Sequence, residues 1–106
     1  MRVLFDQGTP VPLRKFLQYH QIETAFERGW AFLKNGELLN EAEKYGFEIF
    51  ITTDQNLRFQ QNLVRRKIAV IVLSSTSWPR IQKIVSNISQ SVNTALPGSF
   101  HEIIVP

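Results

Sequence analysis

The sequence predicts an α/β protein, a three-layer α/β/α sandwich around a mostly parallel central sheet. Three observations predict it. Short apolar runs of strand length recur along the chain, at residues 3–5, 47–52, 68–73 and 100–105. Segments with helical spacing separate them, and such alternation argues for parallel strands joined by crossover helices. The run Ile68 to Leu73 is apolar at nearly every position, as a central strand covered on both faces requires.

Val3-Leu4-Phe5 reads as a buried first strand. Gly8, Pro10 and Pro12 make a loop, and a helix from Pro12 to Gln18 follows, with proline tolerated in its first turn. Leu13, Phe16 and Leu17 give that helix its inner face. Ile22, Thr24 and Phe26 alternate, which predicts a short second strand near residues 22–25. Residues 27–33 read as irregular, with Trp30 and Phe32 packing inward. Asn35 is placed as the N-cap of a helix over Gly36 to Lys44, with Leu38, Leu39 and Ala42 facing the core and Gly46 as the stop. The third strand is Phe47 to Thr52, followed by a helical turn that Asp54 caps, and Lys67 to Leu73 is the fourth. A single long helix is expected from Trp78 to about Thr94, on the stripe Ile81, Ile84, Val85, Ile88 and Val92. Pro97-Gly98 turns the chain into a last strand, Phe100 to Val105.

A chain of 106 residues fits a single domain spanning 1–106. No cysteine is present, so disulfides, zinc–thiolate sites and Fe–S clusters are excluded, and the composition suits a cytoplasmic protein. Arg2, Asp6 and two prolines interrupt any secretory signal, and no run approaches the roughly 18 apolar residues of a membrane span. The net charge of +3 is uneven. Residues 54–83 carry Arg58, Arg65, Arg66, Lys67, Arg80 and Lys83 against Asp54 alone. Such a segment suits contact with a polyanion, or is simply a solvated basic surface.

Two apolar runs end in a lone acid: Val3-Leu4-Phe5 in Asp6, and Ile49-Phe50-Ile51-Thr52-Thr53 in Asp54. In an open parallel sheet, residues just past the strand ends line a crevice where ligands bind. Two carboxylates crowded there repel unless a cation lies between them. Mg²⁺ keeps several waters and needs few protein ligands. The competing reading is that Asp6 and Asp54 cap the turns that follow them. Glu37, in the first turn of its helix, is a third candidate ligand or a favourable partner of the helix dipole. Glu41, one turn on, could sit beside it, and Glu43 is expected in solvent. Thr53 and Asn56 would support the site, and Arg58, Arg65 and Arg66 would hold a nucleic-acid backbone, with Phe59 as core or as a stacking platform. There is no Gly-rich phosphate loop and no G-x-S-x-G elbow. Phosphorylation of Asp54, as in a receiver-like domain, would need a second acid next to Asp6, whose neighbours are Phe5 and Gln7.

Val3-Leu4-Phe5-Asp6-Gln7-Gly8-Thr9-Pro10 resembles the "L-L-D-E-N-L-P" opening of small PIN-like proteins. Residues 34–42 resemble their "D-E-E-I-L-x-x-A" helix, and Ile51-Thr52-Thr53-Asp54-Gln55-Asn56-Leu57 resembles "L-V-T-x-D-x-D-F". The family is described mainly as predicted nucleases of toxin–antitoxin systems, related to VapC-type toxins. The resemblance implies RNA hydrolysis with Mg²⁺ or Mn²⁺ held by Asp6, Asp54 and Glu37. As partners it implies RNA, a cognate antitoxin protein and a second copy in a homodimer, with no membrane. The chain departs from the pattern at Asn35 and Asn56, where the family has acids. The alternative is therefore a catalytically impaired PIN-like domain that binds RNA or a protein.

Overall fold

Residues 3–5, 49–51 and 69–73 are apolar at consecutive positions, so those strands must be covered on both faces, and parallel pairing with crossover helices achieves this. A computed structural model describes residues 1–57, 63 and 65–106. Five strands form one sheet: β1 (Arg2–Phe5), β2 (Gln21–Thr24), β3 (Ile49–Thr52), β4 (Ala69–Leu73) and β5 (Phe100–Ile103). Their order is β2-β1-β3-β4-β5, and every pairing is parallel. A 3₁₀ helix (Val11–Phe16) precedes β2, α1 (Asn35–Lys44) precedes β3, and α2 (Trp78–Gln82) and α3 (Val85–Thr94) precede β5. The α/β class expected from the sequence is the one observed.

Side-chain alternation divides the core into two. Val3, Phe5, Ile49, Ile51, Ile71 and Leu73 point to one face and pack on Leu13 and Leu17 and on Ile81, Ile88 and Val92 of α2 and α3. Leu4, Phe50, Val70 and Val72 point to the other and pack on Leu38, Leu39 and Ala42 of α1. The register Phe5↔Ile51↔Ile71 keeps each set on its own face. Among the described residues no helix is long and apolar enough to cross a membrane.

Local structure departs from expectation at five places. The segment after Pro10 is a 3₁₀ helix ending at Phe16, and Leu17 then leaves it at φ −121°, ψ 47°. Leu17 therefore turns inward, while Phe16 stays 41% exposed against the Trp78 ring. The long second-half helix is two helices. Lys83 N–H donates to Arg80 O and Ile84 N–H to Ile81 O, and these tighter bonds interrupt the α ladder at Ile84 (φ −123°). Asn35 is the first residue of α1 rather than its cap, because Leu38 N–H already donates to Lys34 O. Trp30 packs against Tyr45 and Phe47 as expected, but Phe32 is 94% exposed. Glu43 is not solvated: it accepts from Arg66 Nη1 at 2.7 Å and from Lys67 N–H at 3.0 Å.

Candidate functional site at the carboxyl edge of the sheet

The chain leaves β1 for β2 on one side and later returns to place β3 on the other. The crevice between β1 and β3 is thus the point where strand order reverses, the usual ligand position of an open α/β sheet. Asp6 follows β1 directly and Asp54 follows β3 by two residues, so both lie at this edge. Asp6 N–H continues the ladder to Ile51 O at 3.1 Å, which fixes its backbone against β3.

Thr52 joins the two acids. Its side chain is fully buried; its hydroxyl donates to Asp6 Oδ2 and accepts from Asp54 N–H at 3.0 Å. The other Asp6 oxygen, Oδ1, accepts from Thr9 N–H at 3.1 Å. The Thr9 hydroxyl lies 2.7 Å from Asp6 Oδ1 and 2.9 Å from Ile51 O, and its one hydrogen serves both. Asp54 is held in the same manner: Oδ1 accepts from Asn56 N–H at 3.0 Å, and Oδ2 accepts from Asn35 Nδ2 at 2.6 Å. Both acids are half-buried and partnered by neutral donors; among the described residues neither forms an ion pair with Lys or Arg.

Gly8 completes the crevice. A Cβ at this position would collide with Thr53 Oγ1 and stand 3.8 Å from Asp6 Oδ1, so the backbone of residue 8 lies directly on the site. A small cleft of about 140 Å³ opens here, with Asp6, Gly8, Trp30, Asn35 and Leu38 in its walls. A larger one of about 470 Å³ opens on the β2 side of Asp6.

The structure thus brings Asp6, Asp54, Asn35 and the Asn56 backbone into one hydrogen-bonded network. Glu37 is exposed in the first turn of α1, and Glu41 is half-buried one turn later; among the described residues no hydrogen bond ties either to that network. Among the described residues no three His, Cys, Asp or Glu side chains gather as a metal-holding group, so Asp6, Asp54 and Glu37 are not assembled as one. Arg65 and Arg66 precede β4, at the amino edge opposite the crevice, and Arg66 is engaged by Glu43 and Asn40. Arg58 and Phe59 lie outside the described residues. Thr9 is the site residue that sequence reasoning passed over. The spacing Asp6-x-x-Thr9 was the available signal.

No protein-family model matches the chain, and no curated protein or solved structure matches it either. Fold and site together define an α/β protein with a two-carboxylate crevice at its topological switch point.

Proposed function

We propose that the protein is a Mg²⁺- or Mn²⁺-dependent ribonuclease of PIN-like type, acting at the β1/β3 crevice. The observation that carries this reading is the pair Asp6 and Asp54, joined through Thr52 at the switch point. The donor set fits a divalent cation: two carboxylates with an asparagine beside them are hard oxygen ligands, and Mg²⁺ retains waters for its other positions. Asp6 and Asp54 would hold the ion. The chemistry supplied there when an ion is bound would be Lewis-acid polarisation of the phosphodiester and activation of water. Thr9 and Thr52 fix the Asp6 carboxylate, and Asn35 and Asn56 fix that of Asp54, so the acids are positioned before substrate arrives. The Gly8 backbone packs against Thr53 beside Asp6, where a side chain would not fit. Glu37 is the remaining candidate ligand, and Thr53 and Glu41 would support the site. Arg65 and Arg66 both stand at the far edge of the sheet, Arg66 held there by Glu43, and neither contacts substrate in this reading. A role as the toxin of a toxin–antitoxin pair, an antitoxin partner and a homodimer belong to the same proposal and rest on the resemblance alone.

Purified protein mixed with single-stranded RNA and Mn²⁺ should cleave it, and EDTA should stop the reaction. Asp54→Asn and Asp6→Asn should each lower the rate by roughly 100-fold or more. No cleavage, with Asp54→Asn indistinguishable from the unaltered protein, would refute the nuclease reading. One observation favours a second reading, a binding module without catalysis: the Asn35 amide already satisfies Asp54 Oδ2. That reading expects no heat on titration with Mn²⁺, together with salt-dependent RNA binding.

A further inference from the structure

Beside Asp6, on the β2 side, the cleft of about 470 Å³ is walled by Asp6, Thr9, Val11, Arg14, Phe26 and Glu27 among others. Its size falls in the range of pockets that hold small organic groups. Phe26 is 75% exposed, yet it is not on a loose loop. Thr24 N–H donates to Glu27 Oε1 at 2.9 Å and Glu27 N–H donates to Thr24 Oγ1 at 3.0 Å, a reciprocal box around the turn. Gly29 N–H donates to Phe26 O and Trp30 N–H to Ala25 O, which closes the turn from the other side. A rigidly mounted aromatic ring left in solvent gives up the burial that such a side chain normally obtains.

The charges lining the cleft decide what it can take. Arg14 and Glu27 pair with each other, through Nη2–Oε1 and through Nη1–Oε2 at 3.3 Å. Asp6 adds a second negative charge, so the ionic groups of the cleft sum to one excess anion. A phosphate is repelled there, whereas a flat, neutral group with donors and acceptors is not. Arg14 keeps N–H donors beyond those Glu27 uses; its Nε is buried with no partner.

We infer that this cleft is a nucleobase subsite, in which Phe26 stacks on one base of a single-stranded RNA while Arg14 and Glu27 meet its polar edge. The inference rests on the proposed ribonuclease reading for the nature of the polymer, but the base contact itself needs no metal. Stacking on aromatic side chains with edge hydrogen bonds is how unpaired bases are generally held.

The test uses the full chain in EDTA, titrated into a single-stranded oligoribonucleotide carrying one 2-aminopurine, whose emission falls on stacking. The unaltered protein should quench it. Phe26→Ala should weaken binding by roughly 5- to 100-fold and relieve the quenching, whereas Phe26→Trp should retain both. Phe32→Ala, still more exposed but outside the cleft, should change neither. Circular dichroism checks that each variant is folded. No quenching by the unaltered protein, quenching unchanged in Phe26→Ala, or equal affinity for the duplex would each overturn the inference. So would a protein ligand seated on the cleft in the absence of RNA binding. Failure of the two proposals is separable: RNA cleavage with an unchanged KM in Phe26→Ala removes the subsite alone, and Phe26-dependent quenching by a protein that never cleaves removes the nuclease alone.

Discussion

Replacing Thr52 with Val tests whether the network is real. Val keeps the shape and the β-branched fit of a fully buried strand position, so packing is nearly unchanged. What disappears is the hydroxyl, and with it the bond to Asp6 Oδ2 and the acceptor for Asp54 N–H. A hydrogen bond to a charged group contributes about 1.5–3 kcal/mol. Asp6 is half-buried, so water recovers part of this, leaving roughly 1–2 kcal/mol. The stranded amide of Asp54 adds about 1 kcal/mol. The expected destabilisation is therefore about 2–3 kcal/mol, a fall in Tm on the order of 10 °C for a domain of this size. Urea unfolding at pH 7 reads the free energy, and Thr53→Val, which removes no hydrogen bond among the described residues, is the control. Combining Thr52→Val with Asp6→Asn should show a coupling of roughly 1–2 kcal/mol. A Thr52→Val protein within about 0.5 kcal/mol of the unaltered one, or a coupling near zero, would mean that the two acids are not joined through this residue.

Two further perturbations probe the frame around the site. Gly29 and Gly98 both have left-handed φ, +75° and +74°, but a Cβ at Gly98 would lie 2.8 Å from Arg66 O while one at Gly29 meets nothing within 4 Å. Gly29→Ala should destabilise by about 1 kcal/mol from backbone strain alone, and Gly98→Ala by clearly more in the same thermal melts; equal effects would remove the steric contribution. Glu27 has its pKa lowered, first by the Arg14 hydrogen bond and then by the Thr24 amide. A lowered folded pKa adds stability that is present above the unfolded value, about 4.3, and is lost as pH falls through the folded value. The stability difference between the unaltered protein and Glu27→Gln should thus be present at neutral pH and shrink on acidification; a difference that stays constant through the acid range would exclude the ion pair as its source.

The centre of the sheet was legible because β1, β3 and β4 are apolar on both faces. Ala69 to Leu73 is buried at every position, and no single-sided pattern competes with that reading. The positions of Asp6 and Asp54 were legible for the same reason: an apolar run that stops at an acid marks a strand end. The break at Ile84 was not, since Ile84 and Val85 continue the apolar stripe and the interruption lies in hydrogen bonds rather than in residue type. Nor was the engagement of Glu43, which depends on α1 ending beside the segment that enters β4. Phe26 belongs to the alternating pattern Ile22, Thr24, Phe26 that predicts a strand near residues 22–25, and nothing in that pattern marks its ring as exposed. The Thr24-x-x-Glu27 spacing, which builds the turn that leaves the ring exposed, was the competing signal.

Asn35 explains how a two-acid crevice can stand without a cation. Its amide donates to Asp54 Oδ2, so that carboxylate is satisfied from within the fold. A carboxylate at position 35 would set like charge against Asp54 and require either protonation or a bound ion to relieve it. The amide lowers the negative charge of the crevice by one unit relative to such a site and with it the Coulombic attraction for Mg²⁺. Thr9 and Thr52 act in the same direction, because each supplies Asp6 with a neutral donor. The crevice therefore has its hydrogen bonds satisfied from within the fold, and the metal affinity proposed for Asp6 and Asp54 would not be needed for folding. Calorimetry with Mn²⁺ therefore separates a nuclease from a binding module directly, and a metal that binds the folded protein would also raise its melting temperature.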